Sequence, residues 1–137
     1  MVWIGLACIG LVAAGCGESQ KQSAEREQSH IKVLAIMYGK YTGRHQGQPP
    51  ANEKAFREYV EAAGSDLVKK VGGVDQMFIS ERDQKPYVIF YGKEVQKNNG
   101  VVAYEQEGSG GKRFVADELV VEELDEDQFR ARVPAAK

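Results

Sequence analysis

Apolar and polar positions divide the chain into blocks. From Val2 to Gly15 no residue is charged, whereas "ESQKQSAEREQS" at 18–29 contains one Ala and nothing apolar that is larger. The second block has no face to bury and reads as a polar tether. At Ile31 a helical period begins. Ile31, Leu34, Tyr38 and Tyr41 recur at spacings of three and four, flanked by Ala35 and Met37, which predicts one face of an amphipathic helix from His30 to about Thr42. Gly43, Gly47, Pro49 and Pro50 stop it. Asn52 is placed to cap a second helix with Phe56, Tyr59, Val60 and Ala63 inward and Gly64 at its end. A short helical turn comes next, from Ser65 to Val71, before Gly72 and Gly73.

Beyond the glycine pair the period becomes strand-like. "PYVIFYG" (86–92), with Tyr87 and Ile89, is apolar on both faces, as a central strand is. "NNG" (98–100) signals a reverse turn, and "VVAYE" (101–105), with Tyr104, pairs back across it. "GSGG" makes the next turn, and Arg113 to Ala116, around Phe114, with Leu119 to Glu123 supplies a further strand or hairpin. Asp125 and Gln128 form an N-cap and its partner, and Leu124 and Phe129 stand where a hydrophobic staple closes, so a last helix spans about Glu126 to Arg132. The expected fold is α+β: an N-terminal amphipathic helix and a short helix packed on a small antiparallel sheet of three or four strands, with a short C-terminal helix. Leu34, Tyr38, Tyr41, Phe56, Tyr87, Ile89, Tyr104, Phe114, Leu124 and Phe129 are its expected structural residues. The expected division is a leader at 1–15, a tether at 16–29, one globular domain at 30–133 and a tail at 134–137.

Charge adds little to this picture. The 137 residues carry 18 basic and 20 acidic side chains, interspersed, for a formal charge of -2. That balance leaves no footprint for nucleic acid, and none is expected as a partner. Cysteine changes more. Cys8 and Cys16 lie in or at the end of the apolar leader, so the folded body has no thiol for a disulfide framework or a Cys-based zinc site. No cofactor is expected.

The leader is short of the roughly 20 apolar residues of a spanning helix and has the size of a signal h-region. Ala13, Ala14 and Gly15 before Cys16 resemble the lipobox of bacterial lipoproteins. The resemblance implies that a diacylglycerol is attached to the Cys16 sulfur, that cleavage precedes Cys16, and that palmitate-type acyl chains hold the protein on a bilayer at roughly 0.8 kcal/mol per buried CH₂. Ala13 stands where Leu is favoured, and no Lys or Arg precedes the apolar run, which points to a start upstream of Met1. Cleavage after Gly15 leaving a free thiol, and an uncleaved short anchor, are the competing readings. Gly17 is not the Asp of inner-membrane retention, so the expected address is the cell envelope, at the outer membrane facing the periplasm in preference to the inner membrane.

The body resembles type II secretion pseudopilins and the pilin-like proteins of planctomycete-type bacteria. The likeness rests on Ile31, Leu34, Tyr38, Tyr41, Gly47, Pro49 and Pro50, on the Ser-x-Arg-Asp turn within "FISERDQKPYVIFYG" (78–92), and on the closing "GGKRFVADELVVEELDEDQF", where Asp117-Glu118 replaces an Asp-Gly turn. It spans most of residues 30 to 130 and implies a long helix running into a small antiparallel sheet.

Motifs for chemistry fail on spacing. "GSGGKR" (108–113) has Gln106 and Arg113 where a phosphate loop needs Gly and Ser or Thr, and Ser109 lacks the first Gly of a nucleophile elbow. His30 and His45 have no Cys or carboxylate at ligand spacing and read as solvated helix-end residues. In the acidic run Asp117, Glu118, Glu122, Glu123, Asp125, Glu126, Asp127, which the pseudopilin resemblance raises as a calcium loop, Glu122 and Glu123 point to opposite faces of a strand and Asp125 to Asp127 serve a helix N-terminus. Tyr87, Phe90, Tyr91, Tyr104 and Phe114 could form a stacking platform but fit a core better. The expected function is therefore a lipid-anchored, non-catalytic interaction or structural module bound to an envelope protein. The alternatives are a small-ligand-binding lipoprotein and a component associated with type II secretion or pili.

Overall fold

The computed structural model describes residues 29–136; the expectations for the leader and Cys16, and for the tether up to residue 28, lie outside the described residues. Helix α1 (His30–Arg44) starts where Ser29 accepts a hydrogen bond from the Lys32 N–H, which satisfies one of the amides a helix start leaves open. It buries Ile31, Val33, Leu34, Ala35, Met37, Tyr38 and Thr42. That band is wider than a single amphipathic stripe because α1 lies between two layers, the sheet on one side and the other N-terminal helices on the other.

Helix α2 (Glu53–Ala63) begins at Asn52, whose Oδ1 accepts from the Ala55 N–H at 2.9 Å, and ends at Gly64 in the left-handed region at φ 56°. Phe56 and Val60 are buried and Tyr59 half-buried, but Ala63 is exposed rather than inward. It lies in the last turn, next to an exposed Gly64, past the reach of the core. Helix α3 (Asp66–Lys70) is capped by Ser65. The chain then departs from expectation. Gly72 and Gly73, at φ 99° and 106°, redirect it into another helical turn, α4 (Val74–Met77), instead of a strand. The Met77–Phe78 pair at its end is fully buried, and this anchors the turn against α1.

The sheet is antiparallel throughout, with strands β1 (Val88–Ile89), β2 (Ala103–Tyr104), β3 (Lys112–Ala116) and β4 (Val121–Asp125) in the order β1-β2-β3-β4. Segment 86–92 thus supplies an edge strand, not a central one. Its two apolar faces have a different cause: Tyr87, Ile89 and Tyr91 pack into the cluster around α1, while Val88 and Phe90 pack on the opposite side with Tyr104 and Phe129. Helix α5 (Glu94–Lys97) separates β1 from β2, so "NNG" closes that helix, with Asn99 and Gly100 at positive φ, instead of forming a two-residue hairpin. On β2, Val102 donates to the Ala116 carbonyl although Ala103 is the residue opposite Ala116. The extra residue is a β-bulge.

Helix α6 (Glu126–Arg132) opens with a full capping box between Asp125 and Gln128 and lays Phe129 on the far face of the sheet beside Tyr104, Val115 and Val133. The sheet is covered by α1 on one face and α6 on the other. The Tyr38 hydroxyl ties the layers together by donating to the Phe90 carbonyl at 2.8 Å. No helix among the described residues is long and apolar enough to cross a membrane.

Candidate functional site

Strand register puts Glu105, Phe114 and Glu123 side by side on the α1 face, since Glu105 donates its N–H to the Phe114 carbonyl and Phe114 is opposite Glu123. Glu105 is fully buried. A carboxylate there needs partners for its charge and its lone pairs, and it has them. Ser80 Oγ donates to Oε1 at 2.7 Å, the Phe114 N–H to Oε2 at 2.8 Å, and Arg82 through Nη2 at 2.6 Å and Nε at 3.1 Å. Arg82 also bonds Glu123, donates to the Lys112 carbonyl, and lies 3.9 Å over the Phe114 ring. Burial alone would lower its pKa, but the hydrogen bonds and charges of Glu105 and Glu123 outweigh burial and raise it.

Next to this hub, Asp83 accepts from the N–H groups of Glu107 and Gly108, both at 2.9 Å. These bonds and that from the Lys85 N–H overcome the effect of burial and hold its carboxyl below the ordinary value. The "GSGG" turn is shaped by that contact. Gly108 sits at φ 68°, where a Cβ would come 2.0 Å from the Lys112 carbonyl oxygen. The Ser-x-Arg-Asp stretch therefore fastens the β2–β3 turn from outside. The carboxylate of Asp83 is taken up by these backbone amides, and the stretch acts as a clamp.

A cleft of about 490 Å³ opens between α2, α4 and β1. Phe78, Ile89 and Tyr91 line it, and Arg57 crosses its rim, 4.0 Å above Phe78 and bonded to Glu53 and Asp75. The buried Tyr91 hydroxyl has no hydrogen-bond partner there, and burial, then the Glu53 charge, pushes its pKa up. The Tyr87 hydroxyl is turned inward toward Ser80 and the Ile31 backbone without a well-formed bond.

The third feature is a surface. At the β3–β4 turn Asp117 Oδ1 accepts from the Leu119 and Val120 N–H groups, an Asx-type closure that needs no Gly after Asp. The turn holds Leu119 83 % exposed and Val120 51 % exposed, the large apolar side chains left in water among the described residues.

Of the residues expected to be structural, Leu34, Tyr38, Phe56, Tyr87, Tyr104 and Phe129 are buried, and Tyr41, Ile89, Phe114 and Leu124 are partly buried. Phe90 and Tyr104 lie on one face of the sheet, and Tyr87, Tyr91 and Phe114 on the other, so the five aromatic residues make no single platform. His45 is exposed and stacks on Tyr41 at 3.9 Å. His30, read as solvated, is not: Nδ1 donates to the Ile79 carbonyl at 2.7 Å, and Nε2 is 3.4 Å from Glu81, because the 79–81 segment folds against the start of α1. The acidic run is dispersed into pairs, Glu122 with Arg132 and Glu126 with Arg113 and Arg130. Among the described residues no group of three or more His, Cys, Asp or Glu is placed to hold a metal ion. The hub of Arg82 and Glu105 is not expected from the sequence. Its one sequence signal is a lone Glu in the strand "VVAYE" at a position turned toward the core.

Compared with known proteins, the chain matches no family model, no curated protein and no solved structure.

Proposed function

We propose that the chain is a lipid-anchored envelope protein whose α+β domain is a non-catalytic interaction module, pilin-like in plan and held to a bilayer through acyl chains on Cys16. The observation that carries this reading is the switch from apolar to wholly polar sequence at Cys16, ahead of a domain that begins with a capped helix at Ser29. A random-coil linker of about a dozen residues has an end-to-end distance on the order of 20 Å, enough to stand a domain off a membrane surface. Arg82, Glu105 and Asp83 are engaged in internal bonds, which supports a structural role for the charges beneath the surface and leaves the exterior for recognition. Gly17 favours the outer membrane, facing the periplasm.

A pilin enters its filament through an apolar helix of roughly 20 residues. In this chain the segment after Cys16 carries Glu18, Lys21, Glu25, Arg26 and Glu27, and burying these unpaired is costly. The domain is thus proposed as a fixed adaptor, in the neighbourhood of secretion or pilus components, and not as a filament subunit. In-cell cross-linking is expected to trap it with envelope proteins while sheared filaments lack it. Recovery in a regular filament in stoichiometric amounts would overturn the reading. The Tyr91 cleft favours a second reading, binding of a small apolar ligand with one hydrogen-bonding atom, which a pocket of this size accommodates.

A further inference from the structure

The outer edge of β4 is an open backbone template. Because the Phe114 carbonyl faces β2, the alternation of antiparallel ladders turns the groups of Arg113 and Val115 toward β4, so their partners Leu124 and Glu122 bond inward while Val121 and Glu123 direct N–H and C=O outward. Those outward groups bond nothing among the described residues. Asp125, the next outward position, has its N–H capped by Gln128. The edge continues directly into exposed Val120 and Leu119. Long open edges are a hazard that proteins cover or charge, and this one carries an acidic excess: residues 117–127 include seven acidic and no basic side chains, and the arginines that reach them from elsewhere are Arg82, Arg113, Arg130 and Arg132.

From this edge we infer that β4 docks an extended segment of a partner protein in which basic and apolar residues alternate, added as a fifth strand. The inference rests on the interaction-module reading and names its partner class. Backbone pairing with Val121 and Glu123 supplies the register. On one face such a strand meets Val121, Glu123 and Asp125, and on the other Glu122 and Leu124; Glu123 and Glu122 meet Arg82 and Arg132 through Oε2, which leaves Oε1 of each to face the added strand beside an apolar contact. A second copy of the chain fits poorly. Antiparallel pairing of two β4 strands about their centres sets Glu123 against Glu123 or Glu122 against Glu123, and like charges directly opposite are destabilising. A lipid surface fits poorly too, since Asp117, Glu118, Glu122 and Glu123 flank Leu119 and Val120 in the chain and outnumber the Lys32 ammonium that bonds the Leu119 carbonyl.

The test is amide hydrogen exchange on the full chain in mild detergent, with three synthetic peptides as probes: alternating Lys-Val, a block peptide of the same composition, and alternating Glu-Val. In the free chain the Val121 and Glu123 amides are expected to exchange as unprotected groups. The alternating Lys-Val peptide should slow both by about tenfold or more, the other two peptides should not, and Glu122→Lys should weaken the effect severalfold. Four results would each overturn the inference: equal effects of the two basic peptides, peptide binding without protection of these amides, protection already present in the free chain, or protection at Leu119 and Val120 by phospholipid vesicles with none from peptide. A chain found without acyl groups would defeat the anchoring proposal and leave this outcome as it stands.

Discussion

The Arg82 guanidinium lies 2.6 Å from the carboxylate of Glu105, a residue with no exposed surface, and reaches it from a loop 23 residues away. The pair joins β2, β3, β4 and the 80–83 turn in one network. Removing one member of a buried pair strands the other charge and costs about 3–5 kcal/mol, so Arg82→Met is expected to lower stability by that order in a urea titration. In the Arg82→Met/Glu105→Gln double variant the amide oxygen can still accept from the Phe114 N–H, and the loss should be smaller than the sum of the single losses. Simple additivity would show that the two charges are not coupled.

Helix α1 gives a second test. Leu34 is fully buried and Lys40 exposed. Leu34→Ala should cost about 2–5 kcal/mol and Lys40→Ala no more than about 0.5 kcal/mol. Equal effects would contradict the assigned face.

Gly108 combines a positive φ with backbone contact. Gly108→Ala meets the Lys112 carbonyl and should cost at least the ~1–3 kcal/mol of a strained backbone site. Gly110→Ala, with open space around its Cβ position, should cost less. Thermal melts of the two variants compare them directly, and an equal loss would refute the constraint at Gly108.

These sites show where the sequence was legible. Helices α1, α2 and α6 announce themselves through local signals, namely spacing, Asn52 and Gly64, and Asp125 with Gln128. What stayed hidden depends on distant partners. Glu105 meets Ser80 and Arg82 only after β2, β3 and β4 align, and His30 meets Ile79 only after the chain returns past α1. Segment 86–92 misled for a related reason: burial on both faces distinguishes a covered strand from an uncovered one, and an edge strand between α1 and α6 is covered. The turn of α4 was lost behind Gly72 and Gly73, since a glycine pair marks a change of direction without specifying whether a helix or a strand lies beyond it.

Stability should vary at both ends of the pH range. The folded-state pKa of Asp83 is lowered from 3.8, so its ionised form stabilises the fold above that value, and the contribution is lost as pH falls below it. Asp83→Asn should flatten the acid limb of a stability profile. Tyr38, Tyr87 and Tyr91 are raised above 10, by burial first in each case. Their contribution is complete below pH 10 and lost as pH rises beyond it, so their ionisation should appear in tyrosinate absorbance only together with unfolding. An unshifted, reversible titration of all six tyrosines in the folded protein would contradict these environments.

The central claim is that Cys16 anchors the protein through lipid. Intact-mass measurement of the protein isolated from the membrane fraction, after metabolic labelling with a fatty-acid analogue, tests it most directly. The account predicts a labelled chain that begins at Cys16, carries acyl mass and lacks Trp3, with Cys16→Ser unlabelled and either released or left as precursor. An unacylated chain with a free Cys16 thiol, or a Cys16→Ser variant still acylated and processed, would contradict it.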